Sequence, residues 1–198
     1  MIKIQDINKS EPYSIFIDRY NKALSKNQSS VNAISISSLN KKDMIVTSRY
    51  VNLKYIIDDE WIFFSNYNSP KAIQFSSHQQ ISAVFYWNNI NTQIRMKAYV
   101  YRTSNKISDA HFKNRNEKKN AISNLSNQSE RIESYEKFAK DIKKDLKTSN
   151  ILKRSKDWGG FSFRPFYFEF WEGHEHRLNK REVYSYEDNS WVKFFRQP

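Results

Sequence analysis

Apolar positions change their period along this chain, and the changes mark out its elements. Ser10-Glu11-Pro12 offers a cap followed by proline in a first turn, and Tyr13, Phe16, Tyr20 and Leu24 then recur at helical spacing, which predicts a helix over 11–25. From Val31 the spacing drops to two. Ala33 to Ser37, Met44 to Ile57 and Trp61 to Ser65 read as strands, broken at Asn40-Lys41-Lys42-Asp43 and at Asp58-Asp59 in the manner of hairpins. Ser69-Pro70 is a second cap with proline, ahead of a short helix at Lys71 to Phe75. Ile81 to Trp87 and Gln93 to Arg102 form two further strands around Asn88-Asn89. Between Ser108 and Gln128 the pattern turns polar and basic, which predicts a short helix before Asn116 and a loop after it that is a candidate binding element. Ile132, Tyr135, Phe138, Ile142 and Leu146 then define an amphipathic helix whose lysine-rich face is read as solvated. Gly160 to Trp171, Arg181 to Glu187 and Trp191 to Arg196 return to strands, the last two joined as a hairpin across Asp188-Asn189-Ser190.

Strands enclosing a core with a few helices outside make a barrel-type α+β domain that is mainly β. At 198 residues the chain is predicted to form one domain. Within it, 11–25 is the N-terminal helix, 31–102 the barrel strands, 103–147 a helical segment with the binding loop, and 158–198 the C-terminal strands. The 14 Phe, 12 Tyr and 5 Trp support this, because large aromatic side chains suit pleated surfaces.

Composition removes several chemistries. Without cysteine there is no disulfide, thiolate metal site, iron-sulfur cluster or thiol nucleophile. The glycines are Gly159, Gly160 and Gly173, so no glycine-rich dinucleotide fingerprint or phosphate loop can be written. No apolar run approaches the ~20 residues of a membrane span, and residues 1–6 lack the apolar region of a signal peptide, so the default expectation is a cytoplasmic protein without membrane contact. The formal charge of +12 attracts anions of any kind, nucleic acid and small phosphates alike. His174-Glu175-His176 sets two rings on one side of an extended segment, but no third ligand is evident, and no metal is expected. No serine stands in a nucleophile elbow. Cationic and polar residues inside strands or at their ends (Arg49, Lys54, Gln93, Arg95, Arg177, Arg181) are, taken singly, solvent-facing strand residues.

Their order along the chain is more specific than any one of them. Ser48-Arg49-Tyr50-Val51-Asn52-Leu53-Lys54, Phe63-Phe64-Ser65-Asn66-Tyr67-Asn68-Ser69-Pro70-Lys71-Ala72, Phe85-Tyr86-Trp87 and Thr92-Gln93-Ile94-Arg95 come first. Gln128-Ser129, Trp158-Gly159-Gly160-Phe161, Glu169-Phe170-Trp171-Glu172-Gly173 and His176-Arg177-Leu178-Asn179-Lys180-Arg181 follow. In this order and spacing, from Pro12 to Pro198, the chain resembles the pyridoxamine 5′-phosphate oxidase family. That resemblance implies an FMN-binding split β-barrel with peripheral helices, acting as a homodimer with two FMN molecules held between the subunits. Its reaction converts pyridoxamine or pyridoxine 5′-phosphate to pyridoxal 5′-phosphate while dioxygen becomes hydrogen peroxide. The flavin carries the chemistry and the protein positions and tunes it, so no catalytic side chain is assigned.

Residue by residue, the resemblance implies that Arg49, Ser65 and Lys71 hold the FMN phosphate and that Tyr50, Val51, Asn52, Leu53, Lys54 and Phe64 run along the flavin. Gln93, Gln128, Ser129, Trp171 and Arg181 complete the flavin contacts, some of them across the dimer interface. Lys54, His111, Arg115 and Lys119 fall at the substrate phosphate, and Arg177 and Asn179 at the substrate ring. This chain departs from the family's usual pattern at several positions. Pro70 replaces a second arginine, His111 and Lys119 stand where the family places tyrosine and serine, and Asn179 replaces a histidine beside Lys180, itself in place of an acidic residue. Pro70 removes one contact to the FMN phosphate, His111 and Lys119 keep the pocket suited to an anionic small-molecule substrate, and Asn179 with Lys180 leaves the identity of that substrate open. The alternatives are a relative that oxidises another anionic ring, like the oxidase that closes phenazine biosynthesis, and a non-catalytic flavin- or pyridoxal-phosphate-binding protein. A nucleic-acid partner is not expected.

Overall fold

The computed structural model describes residues 1–146 and 153–198, so the last residue of the predicted 103–147 segment lies outside them. The elements are β1 (Lys3–Gln5), α1 (Glu11–Ser25), β2 (Ala33–Asn40), β3 (Ile45–Asn52), β4 (Tyr55–Ile57), β5 (Glu60–Asn66), α2 (Pro70–Ser77), β6 (Gln80–Trp87), β7 (Thr92–Arg102), α3 (Asn105–Lys113), α4 (Glu117–Leu125), α5 (Tyr135–Asp145), β8 (Trp158–Glu172), β9 (Lys180–Glu187) and β10 (Ser190–Arg196). All ten strands belong to one sheet, in the order β1-β4-β5-β8-β7-β6-β2-β3, with the β9–β10 hairpin branching from β8.

β8 organises this sheet. One of its edges pairs with β7 over nearly its whole length, whereas the other is shared, by β5 opposite residues 158–163 and by β9 opposite 167–172. Pro165 sits at the changeover, beside a bulge that leaves Phe166 without a partner on β7. A proline lacks a ladder donor and is tolerated where the ladder is already interrupted. At the other end of the sheet β3 runs into β4 through Leu53 and Lys54. The Leu53 N–H donates to Asn32 O, beside β2, and the Lys54 N–H donates to Ile62 O, on β5. One chain thus bridges both ends of the sheet and closes the barrel, where sequence periodicity predicts an uninterrupted strand from Met44 to Ile57. Met44 itself sits in the left-handed region at φ 59, in the β2–β3 turn.

The core is aromatic. Phe16 on α1 is fully buried and packs edge-on against Trp61 at 4.5 Å, with Phe85 and Trp87 each 5.8 Å away. α1 therefore caps the barrel with the face that Tyr13, Phe16 and Tyr20 define. Gly159 and Gly160 mark a close approach: a Cβ at Gly160 would lie 2.6 Å from Thr103 Oγ1, and one at Gly159 would lie 2.1 Å from the Tyr67 hydroxyl. The β9–β10 hairpin turns on Asp188 and Asn189, both at positive φ, as a two-residue turn of the primed kind requires.

Two expectations change. Asn116 does not open a loop; its side chain accepts from the Lys118 N–H and caps α4, so the basic segment is helical over Glu117–Leu125. Helix α5 starts at Tyr135 rather than Ile132 and buries none of its residues; Ile132 and Tyr135 remain exposed. No helix of the described residues is long and apolar enough to cross a membrane.

Because Phe16 fills the barrel end among rings that cannot collapse onto it, Phe16→Ala is expected to lower unfolding free energy by about 3–5 kcal/mol. Urea unfolding checks this; a loss below about 1 kcal/mol would place Phe16 outside the core.

Candidate functional site

A cavity of about 370 Å³ opens beside the β3–β4 junction. Tyr50, Val51 and Asn52 line it from β3, Lys54 from the junction, Phe64 and Ser65 from β5, and Lys71 from α2. His111 enters from α3, Arg115 from the turn after it, Lys119 from α4, and Gln128 and Trp158 complete the wall. Lys54 faces the cavity while Leu53, its neighbour, is fully buried in the core, so the Leu53 side chain is not a wall of the site.

At one end stands Lys71, and behind it, outside the lining but close enough for its charge to act on Lys71, lies Arg49; both cations have neutral partners. Lys71 Nζ donates to Ser65 Oγ at 2.8 Å and to Ser69 Oγ at 3.1 Å. Arg49 donates to Ile36 O, Ser38 Oγ and Thr47 Oγ1, and at 3.2 Å to Gln74 Oε1. Gln74 Oε1 also accepts from Ser38 and Thr47 hydroxyls, so this buried amide on α2 fixes the guanidinium from below. Burial, and then the Arg49 charge, pull Lys71 down to about 8, and burial lowers Arg49.

At the other end His111 stacks on Phe64 with ring centroids 3.8 Å apart and planes within 8°. Its Nδ1 lies 2.9 Å from the Tyr55 hydroxyl. Burial, and then the charges of Lys54, Arg115 and Lys3, push His111 down to about 4, which keeps the imidazole neutral. Lys54 is lowered by burial and by Lys119 and Arg115. Arg115 lies over the Trp158 ring at 4.9 Å and spends its Nη1 on Lys119 O, Asn120 Oδ1 and Ser123 Oγ. Among the described residues none of Arg49, Lys54, Lys71, Arg115 and Lys119 forms an ion pair with a carboxylate. Clustered cations without counterions, all but the exposed Lys119 half-buried, repel one another, and an anion entering the cavity relieves that repulsion.

The remaining predicted residues lie elsewhere. Gln93, Trp171 and Arg181 form one rung across β7, β8 and β9, away from the cavity. Arg181 donates through Nε and Nη2 to Glu169 Oε1, at 2.9 and 2.8 Å, while Arg95 and the Tyr167 hydroxyl also bind this buried carboxylate. Ser129 is exposed with φ 75, next to Gln128. Arg177 stands at φ 58 in an exposed loop, and the Asn179 side chain is occupied there, accepting from the His174 N–H at 3.0 Å. His174 and His176 lie in the same loop with rings 5.7 Å apart. Sequence reasoning missed Tyr55, Gln74 and Trp158 as parts of the site. Trp158 carried a signal, since a bulky ring directly before two glycines can lie against whatever the glycines let approach. Tyr55 and Gln74 carried none, because their partners come from distant strands.

Residues 158–198 match the family model described as the pyridoxine 5′-phosphate oxidase C-terminal dimerisation region. The pyridoxine/pyridoxamine 5′-phosphate oxidase of Christiangramia forsetii is 34% identical over 185 residues, covering 91% of this chain and 86% of that one. The protein of the same name from Bdellovibrio bacteriovorus is 30% identical over 98% of this chain and 99% of its own. Among solved structures, PhzG from Burkholderia lata 383, in complex with tetrahydrophenazine-1-carboxylic acid, superposes with a TM-score of 0.89 at 23% identity, covering 96% and 93% of the two chains. A pyridoxamine 5′-phosphate oxidase-related, FMN-binding protein from Nostoc punctiforme does so with a TM-score of 0.78 at 11% identity, over 96% and 99%. At these identities the two structures establish a common split-barrel fold.

Because the folded state holds His111 near 4, an unfolded chain takes up a proton at this residue as pH falls from about 6.5 while the native chain does not. Stability present above pH 6.5 is therefore lost down to about pH 4. His111→Phe is expected to flatten that part of the dependence, read as the difference in urea unfolding at pH 7 and pH 5. An unchanged slope would mean that His111 titrates normally.

Proposed function

The chain belongs to the pyridoxine/pyridoxamine 5′-phosphate oxidase family, and from that premise we propose that it is an FMN-dependent oxidase of an anionic, phosphorylated pyridine, converting pyridoxine or pyridoxamine 5′-phosphate to the aldehyde. The observation that carries this reading is one cavity with unpaired cations at each end, Lys71 backed by Arg49 at the first and Lys54, Arg115 and Lys119 at the second. The Arg49–Lys71–Ser65 end suits the FMN phosphate, and the Lys54–His111–Arg115–Lys119 end suits a phosphate on the substrate. Tyr50, Asn52, Gln128 and Trp158, between and around them, offer ring faces and polar edges to a flat guest. Pro70 takes no part in the cation group, so Arg49 and Lys71 alone supply charge at the first end.

FMN, when bound, accepts hydride from the substrate carbon and returns the electrons to dioxygen, giving hydrogen peroxide. The chain's own share is binding and orientation. Lys71 and Arg49 neutralise a dianion without competing carboxylates; Lys54, at the junction between the two groups, steers the substrate phosphate; Phe64 and Trp158 exclude water from the ring faces. The protein works as a homodimer in this reading. The dimerisation-region match supports that, as does the position of Gln93, Trp171, Arg181 and Arg177 outside their own chain's cavity, from where they serve the partner's. Sedimentation is expected to give twice 23.8 kDa.

A second reading, a relative acting on a different anionic ring, draws support from Asn179. Its side chain is spent on the His174 N–H rather than left for a ligand. Turnover separates the two: peroxide released from pyridoxine 5′-phosphate by the yellow, FMN-loaded protein supports the first, and its absence supports the second.

Arg49→Ala and Lys71→Ala are each expected to weaken FMN retention by about 1.5–3 kcal/mol, roughly ten- to 150-fold, the range for hydrogen bonds to charged groups. A flavin-replete double variant would overturn the assignment. Since free Lys71 loses its proton near 8 and a bound phosphate holds that proton on, FMN affinity should fall as pH rises past about 8. Lys71→Arg should remove the fall, measured by flavin fluorescence titration at pH 7 and 9.

A further inference from the structure

His111 is one of this chain's departures, and the structure gives it a partner that the substrate reading does not use. We propose that Tyr55 is a positioning residue that fixes His111 as a neutral donor, with Nδ1 accepting from the Tyr55 hydroxyl and Nε2–H offered to the anionic group of the guest. The proposal rests on the phosphate-binding reading of this end of the cavity and says how that end distinguishes its ligand.

The ring has little freedom. Phe64 covers one face at 3.8 Å, Trp158 stands further off at 6.2 Å and nearly parallel, and Tyr55 meets the edge at 87°. With Nδ1 engaged 2.9 Å from Tyr55 Oη, the ring nitrogen left for the cavity is Nε2. Among the described residues every charged group that faces the ring is a cation. Lys54 precedes Tyr55 in the chain, Lys3 is paired with Tyr55 in the β1–β4 register, and Arg115 and Lys119 come from the turn and helix beyond α3. Phe64 and Trp158, from β5 and β8, bring none. Asp109, on the same helix, is engaged by Arg154 at 2.6 Å. A second proton on His111 would add a further cation to this set, so the imidazole carries one proton, on one of two nitrogens.

Which nitrogen carries it follows from what lies on either side. Burial raises the Tyr55 phenol, so its hydroxyl keeps a proton and can donate. A phosphate dianion has acceptors only. The arrangement that satisfies both is Tyr55 O–H to Nδ1 and Nε2–H to the phosphate. The opposite tautomer would aim a lone pair at the anion. His111 therefore adds a hydrogen bond without adding charge, and the site favours a fully ionised head group over one that still carries an acidic proton.

The tautomer can be read directly from side-chain ¹⁵N spectra of the protein as purified, with His111→Phe assigning the signals. The Nε2–H form is expected throughout pH 6–8, and Tyr55→Phe should shift the population toward Nδ1–H. A wild-type ring that is Nδ1–H or doubly protonated in that range, or a Tyr55→Phe spectrum identical to wild type, would overturn the proposal. A second arm measures inorganic phosphate affinity. His111→Phe should weaken it about tenfold, Tyr55→Phe three- to tenfold, and the double variant no more than His111→Phe alone. Losses that multiply in the double variant would show the two residues acting independently and would also overturn it. The spectra need no substrate. A wild-type protein with the Nε2–H form and normal phosphate binding that never oxidises pyridoxine 5′-phosphate supports the pair and counts against the substrate reading alone.

Discussion

The two-sided pairing of β8 is the constraint on which the rest depends. Eleven of its fifteen residues pair with β7 along one edge, the other edge is divided between β5 and β9, and the changeover falls where Pro165 cannot donate and Phe166 bulges. This division is what makes the barrel split. Its N-terminal half, with Trp158 and the two glycines, forms the back of the cavity next to Phe64 and Ser65. Its C-terminal half carries Glu169 and Trp171 out to a separate rung with Arg181. One strand thereby separates the residues that the family resemblance marks into two groups on one subunit.

Electrostatics explains why the cavity side chains are arranged as they are. Gln74, Ser65, Ser69 and the α4 carbonyl and hydroxyl groups orient cations without neutralising them, so the site is ordered and still short of negative charge. The Arg95–Glu169–Arg181 group is the contrast: there the carboxylate is already present and 2% exposed, and the arginines have what they need. Position in the sequence cannot distinguish these two kinds of arginine; only the presence of the counterion does.

Much of the fold was legible because local signals agreed with the global result. Ser10 and Pro12 set the start of α1, the period of two located most barrel strands, and Asp188-Asn189 marked the last hairpin. The misses have physical causes. Helix α4 buries only Asn120 and Ala121, so it shows almost no periodicity. β1 has three residues and exists because β4 offers it a parallel edge. The break at Leu53-Lys54 is a closure effect, dictated by Asn32 and Ile62 rather than by the residues at the break. In the site, eleven of the residues that the family resemblance marks do line one cavity. Their supporting partners, Tyr55 beneath His111 and Gln74 beneath Arg49, were not legible, since each pairing depends on elements brought together across 56 and 25 positions of chain.

Strand β8 also imposes an order of events on biosynthesis. Trp61 waits for Phe163 and Thr92 for Glu172, so the barrel wall has a gap until residues 158–172 have left the ribosome. Until then one edge of β5 and one edge of β7 have no partner strand, and the nascent chain is exposed to mispairing. Strands β8 to β10 act as the keystone of the molecule, and removing them would leave an open arch rather than a shorter enzyme.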